Sequence, residues 1–216
     1  MRSDWVPLSA SALVIGAMAL VFGSLLNPAE GGSSTAETLR IVDEDSSRWL
    51  AMVVMYFLAS VALTLGLPAM LTLFGGRGRR LGLTGVALFT LGAIGTCGYA
   101  MLMVFFRAMV VAEAINGPAL ERVTDDLGLA IFLQGWIAGF VGGVVLIAIA
   151  LFVSRTTPRW VPLLLVAFVV LLPVSGQLGR IGTSLQVMAL AVAFTGIAMA
   201  AVTGDHERGL TRHSVF

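Results

Sequence analysis

A chain of 216 residues with 58% hydrophobic and only 12% charged residues, at a mean hydropathy of +0.97, lies far from the soluble-domain average of roughly a quarter charged. Its net charge of +1 at pH 7 excludes a strongly basic nucleic-acid-binding domain, and its composition excludes a water-soluble core with a separate second domain. All 13 basic residues are arginines.

A helix that crosses the hydrocarbon core needs about 20 mostly apolar residues, because every backbone N–H and C=O must be satisfied within that helix. Runs at 5–26, 49–74, 82–107, 128–153, 160–176 and 183–203 fit this requirement. They predict an all-α fold: a single polytopic transmembrane domain over 1–216, built as a bundle of six helices with a tail at 204–216. The first run follows Arg2 but outlasts the roughly 7–15-residue core of a signal peptide, and no clear cleavage site follows it. It is therefore expected to be a mature helix. The fifth run carries Pro162 and Pro173 and is expected to be short or kinked.

Arginines in short loops set orientation. With the N-terminus inside, Arg2, Arg77, Arg79, Arg80, Arg155, Arg159, Arg208 and Arg212 are cytoplasmic, against Arg40, Arg48, Arg107, Arg122 and Arg180 outside. Eight against five predicts N-in/C-in topology in a bacterial cytoplasmic (inner) membrane. The acids run the other way, with only Asp4, Asp205 and Glu207 inside, so the outer rim is acidic.

In the first outer loop, Ser34 to Glu37 fits a capping box. It predicts that the second helix starts near Thr35 and projects above the membrane. Glu44 and Arg48 stand in the favourable i,i+4 order for an ion pair on that extension. In the second outer loop, Asn116-Gly117-Pro118 marks a turn ahead of a short segment bearing Glu121 and Asp125. Gly135, Gly139 and Gly143 make two overlapping Gly-x-x-x-Gly steps on the fourth span, with Gly85, Gly92, Gly95 and Gly98 of the third span as the candidate partner.

No Gly-rich phosphate loop, His-Glu-x-x-His or Gly-x-Ser-x-Gly motif is present. His206 and His213 both fall in the tail, and Cys97 is the lone cysteine, so no metal site and no cofactor are expected. What recurs is an outer carboxylate in line with aromatic residues: Asp125, Phe132, Trp136 and Phe140; Glu113, Phe106, Met103 and Tyr99; Asp45, Trp49, Met52 and Tyr56. The simplest structural reading is an interfacial aromatic belt with a solvated acidic rim. If instead the three faces converge, they enclose an aromatic pocket with an acidic mouth. Such a pocket suits a greasy substrate that passes through positive charge, with π-faces stabilising the cation and a carboxylic acid of raised pKa delivering the proton. Asp45, Glu113 and Asp125 are the candidate acids. Trp49, Tyr56, Tyr99, Phe106, Phe132, Trp136 and Phe140 are the candidate substrate-binding residues, with Arg107 as a phosphate or carboxylate partner. Gln177, Arg180 and Gln186 could help line the mouth, and Gln134 is expected to bond a neighbouring helix.

In size, topology and placement of these outer acids, the chain resembles the small bacterial integral-membrane terpene cyclases, and it also looks like the broad class of six-helix actinobacterial membrane proteins. The first resemblance implies acid-initiated cyclisation of a lipid-soluble isoprenoid, with membrane lipid and a hydrophobic small molecule as partners. The alternative from the residues is a non-enzymatic component: a small permease, an immunity factor or the partner subunit of a membrane complex, whose glycine face binds another chain, either a second copy or a membrane partner subunit.

Overall fold

The computed structural model describes residues 5–29, 34–175 and 178–213, with side chains described through Gly204 except for Arg180. Among these residues there are eight helices and no strand: α1 (Trp5–Leu26), α2 (Thr35–Glu44), α3 (Ser46–Leu71), α4 (Arg79–Val111), α5 (Gly117–Thr124), α6 (Leu127–Ser154), α7 (Trp160–Ser175) and α8 (Gly179–His213). Five stretches are long and apolar enough to cross a membrane: α1, α3, α4, α6 and Ile181–Gly204 of α8. The 16 residues of α7 span about 24 Å, short of the roughly 30 Å hydrocarbon core, in keeping with the prolines at its two ends.

The long helices alternate in direction and form a closed ring, in which α1 packs on α3, α3 on α4, α4 on α6, α6 on α7, α7 on α8 and α8 on α1. Lipid tails are as apolar as leucine, so close backbone approach, rather than escape from water, holds such a ring together. Glycine supplies that approach. A Cβ on Gly66 would lie 2.7 Å from the Leu13 backbone, and one on Gly16 would lie 2.7 Å from the Leu63 backbone; this reciprocal pair locks α1 to α3. The α4–α6 seam works the same way, with Gly92 against the Phe140 backbone and Gly143 against that of Phe89. The expected partnership between the glycines of these two spans is therefore present, although it uses Gly139 and Gly143, and Gly135 faces open space.

Packing is uneven along the bundle axis. The main core gathers Leu13, Leu63, Met70, Phe89, Ile147, Leu151, Leu165, Phe194 and Ile197 in the half nearer the arginine-rich end. A second, smaller cluster around Val42, Trp49, Met52 and Val110 joins α2, α3 and α4 at the acidic end. Between Leu127 and Gly142, no residue of α6 is fully buried.

The outer loops fold in part as the residues predict. Ser34 caps α2 by accepting from the Glu37 amide at 3.2 Å, and Asn116 caps α5 by accepting from the Ala119 amide at 3.0 Å. The expected projection is not one continuous helix, however, because the chain breaks at Asp45 (φ −106°, ψ 33°). That break removes the i,i+4 geometry between Glu44 and Arg48. Glu44 instead pairs with Arg40 at 2.7 Å, and so does Glu37, while Arg48 Nε donates to the Leu26 carbonyl at 3.0 Å. Arg48 thus satisfies an orphan carbonyl at the end of α1. The tail expected from residue 204 continues as helix to His213.

Candidate functional site

The aromatic faces singled out in α3, α4 and α6 meet in part. In the acidic-end half of the bundle, the Tyr99 and Trp136 rings stack with centroids 4.6 Å apart and planes 24° apart. This stack is possible because Gly95 has no side chain: a Cβ there would lie 2.4 Å from the indole. Trp136 Nε1 donates to Thr96 Oγ1 at 3.0 Å, and Thr96 Oγ1 donates back along its own helix to the Gly92 carbonyl, so the polar edge of the indole is satisfied inside the apolar layer. Tyr56 stands on α3 level with this turn of α4, between the Trp49–Met103 and Ser60–Ala93 hydrogen bonds, and covers Gly23 of α1, where a Cβ would come within 2.8 Å of the ring. Tyr56, Tyr99 and Trp136 thus bridge α1, α3, α4 and α6 in one layer.

The remaining candidates fall into other groups. Trp49 packs on Phe106 with centroids 6.1 Å apart and donates from Nε1 to the Met103 carbonyl at 3.3 Å, nearer the acidic end. Phe140 lies deeper, against Phe89 at 4.9 Å and Phe168 at 6.2 Å, and Phe89 in turn meets Phe194. Phe132 is 59% exposed. Each four-residue step in an α-helix advances the azimuth by about 40° past a full turn, so Phe132, Trp136 and Phe140 do not share one direction. All three fan across the side that faces α4, and Phe132, whose ring lies 3.8 Å from where a Gly98 Cβ would stand, is at the exposed edge of that fan.

The three candidate acids stay out of these layers. Asp45, Glu113 and Asp125 are all exposed. Asp45 occupies the break between α2 and α3 and makes no side-chain cap there. Glu113 lies past the end of α4 with φ 53°, so the seven-residue spacing that aligned it with Phe106 and Tyr99 no longer applies. Asp125 is the C-cap of α5, one residue before the Asp126 that caps α6. Arg107 Nε donates to the Ser46 carbonyl at 3.0 Å, tying α4 to the start of α3 rather than meeting a carboxylate. Gln186, 7% exposed, donates to the Phe168 carbonyl and clamps α7 to α8. Gln177 lies outside the described residues, and the side chains of Arg180, His206 and His213 are outside the described ones.

Sequence reasoning missed Thr96, Phe89, Phe168 and Phe194. Phe89 stands ten residues before Tyr99, about 80° round α4 from that aromatic face, and Phe168 and Phe194 lie on helices with no outer carboxylate in line with them. Gln134, expected to bond a neighbouring helix, is exposed and has no hydrogen-bond partner among the described residues. Comparison of the chain with protein-family models, with curated proteins and with solved structures yields no match.

Proposed function

We propose that this chain is a non-catalytic integral-membrane component that works as a subunit, binding a second membrane-embedded chain through the acidic-end half of α6. In this reading the bundle makes six spans, α7 being the short one, with both termini in the cytoplasm of a bacterial inner membrane. The arginine bias supports that orientation. Among the residues whose side chains are described, Arg77, Arg79, Arg80, Arg155 and Arg159 share one end, and all eight acids lie at the other.

Gln134 carries the proposal. The register of the α4–α6 seam pairs Thr96 with Trp136 and Gly92 with Phe140, which puts Gln134 level with Gly98, roughly 14 Å along α4 from Arg107 and within the hydrocarbon layer. A primary amide carries two donors and an accepting oxygen, and leaving these unmet in lipid costs several kcal/mol. On the same outward side, a Cβ at Gly135 or Gly142 would meet nothing within 4 Å. A partner helix seated there gains close contact and satisfies the amide together.

The competing reading, acid-initiated cyclisation of an isoprenoid, requires a desolvated carboxylic acid against the aromatic layer. Asp45, Glu113 and Asp125 are exposed, and the rings they would serve are packed on one another. The two readings separate in one experiment. Native mass spectrometry of the gently solubilised chain is expected to show a second membrane chain, either another copy or a different subunit, that is lost in Gln134→Leu. Incubation with linear prenyl, prenyl-epoxide and prenyl-indole substrates is expected to give no cyclised product. A monomer that cyclises any of these, and loses the activity in Asp45→Asn, Glu113→Gln or Asp125→Asn, would overturn the subunit reading in favour of the enzyme.

A further inference from the structure

At the arginine-rich end, two guanidiniums far apart in sequence face one groove. Arg77 sits in the turn between α3 and α4, and Arg155 is the residue that ends α6. Together with Phe152, Val153 and Ser154 they line an open groove of about 480 Å³. Neither guanidinium has an acidic or hydrogen-bonding partner among the described residues.

The backbone is shaped to bring them together. Gly78 adopts φ 84°, in the left-handed region that favours glycine. A Cβ there would also lie 3.1 Å from the Ala150 carbonyl and 3.5 Å from Val153. The turn that carries Arg77 therefore rests directly on the last turns of α6. Arg155 itself takes φ 53°, an arrangement that costs a non-glycine residue about 1 kcal/mol or more. It reverses the chain where α6 ends and keeps residue 155 at the groove.

The rest of the lining is suited to an amphiphile. Ser154 and Thr156 share a 2.9 Å hydrogen bond between their hydroxyls at the polar side. Phe152 and Val153, 41% and 46% exposed, form an apolar wall that continues along the lipid-facing side of α6. Two guanidiniums on one groove without a counter-charge repel each other, and a phosphodiester removes that cost by accepting forked hydrogen bonds from both. Basic grooves at the cytoplasmic ends of membrane helices are where anionic head groups bind.

We propose that Arg77 and Arg155 form a specific site for an anionic phospholipid, with the phosphodiester on the two guanidiniums and an acyl chain along Phe152 and Val153. The site is independent of the subunit reading, since it lies at the opposite end of α6 from Gln134.

The test is native mass spectrometry of the full chain in detergent with added phosphatidylglycerol or phosphatidylcholine. The wild-type protein is expected to retain phosphatidylglycerol about tenfold better, as charge-assisted hydrogen bonds warrant. Arg77→Gln combined with Arg155→Gly should bring the two lipids to near parity. The glycine keeps the left-handed turn, so the loss is not one of folding. Arg77→Gln alone, on an exposed turn, should lose part of the preference and keeps the site refutable if the double variant unfolds. The control Arg80→Gln with Arg159→Gln removes the same charge from the same end and should leave the preference within about twofold. Equal loss in both double variants would reduce the site to diffuse positive charge, and equal retention of the two lipids by the wild type would abolish it. Displacement of the lipid by inorganic phosphate at matched concentration would reassign the groove to a soluble anion.

Discussion

Trp136 hangs its indole N–H on the Thr96 hydroxyl, 3.0 Å away across the α4–α6 seam, and this bond joins the two helices at the level where Tyr99 stacks on the same indole. Side-chain hydrogen bonds between membrane helices contribute about 0.6 kcal/mol on average and up to about 1.7. Thr96 is 8% exposed, so its loss leaves the indole donor without a replacement from water. Thr96→Val is expected to destabilise the solubilised protein by about 1 kcal/mol, whereas Thr96→Ser, which keeps the hydroxyl, should stay close to wild type. Chemical unfolding followed by circular dichroism reads the difference. Equal stability of the two variants would mean that the bond contributes nothing.

Two glycines should respond to alanine with opposite sign. At Gly66 the new methyl would meet the Leu13 backbone at 2.7 Å, which no rotamer change relieves, so α1 and α3 must separate. Overpacking of this kind costs about 1–3 kcal/mol. At Gly135 the methyl meets nothing within 4 Å, and the helix gains roughly 0.5–1 kcal/mol from the lost chain entropy. Thermal unfolding of Gly66→Ala and Gly135→Ala in a detergent harsh enough to strip the proposed partner helix is expected to move the midpoint down and up respectively. A fall at Gly135 would show that a partner helix stays seated there after solubilisation.

The Ser9 hydroxyl enters the hydrogen-bond ladder of α3. It donates to the Leu65 carbonyl at 2.8 Å and accepts from the Ala69 amide at 3.0 Å, bridging two backbone groups beside Pro68, which has no N–H to give. Side chains inserted beside a proline hold a kink open. Ser9→Ala is expected to cost about 1 kcal/mol and to speed amide exchange at Ala69 over that at Leu63, one turn and a half away. Uniform exchange along α3 in the variant would argue against local insertion.

Much of the bundle could be read directly from residue order. The boundaries of the first and fifth apolar runs agree with α1 and α7 almost to the residue, because an apolar stretch in lipid begins and ends where its composition changes. Caps at Ser34 and Asn116 were legible for a similar reason, since they depend on residues three positions apart. The glycine seam between α4 and α6 was legible as a pairing but not as a register, and only the register shows that Gly139 and Gly143 are used while Gly135 is left open. The alignment of the acids with the aromatics was not legible, because helical periodicity does not carry through chain breaks. At Asp45 and beyond Val111 the helix stops, and the alignment with Trp49 or Phe106 stops with it.

Sequence alone therefore determined the solvent, the helical class and the arginine-rich and acidic ends, since each depends on the composition of a contiguous stretch. Tertiary structure decided which aromatics touch, that the candidate acids are exposed, that Gln134 has no hydrogen-bond partner among the described residues and that Arg77 and Arg155 line one groove. Those outcomes depend on the azimuth and depth at which one helix packs on another. In lipid, both are set by a few backbone contacts at glycine, and a glycine's neighbour is not written in its own sequence.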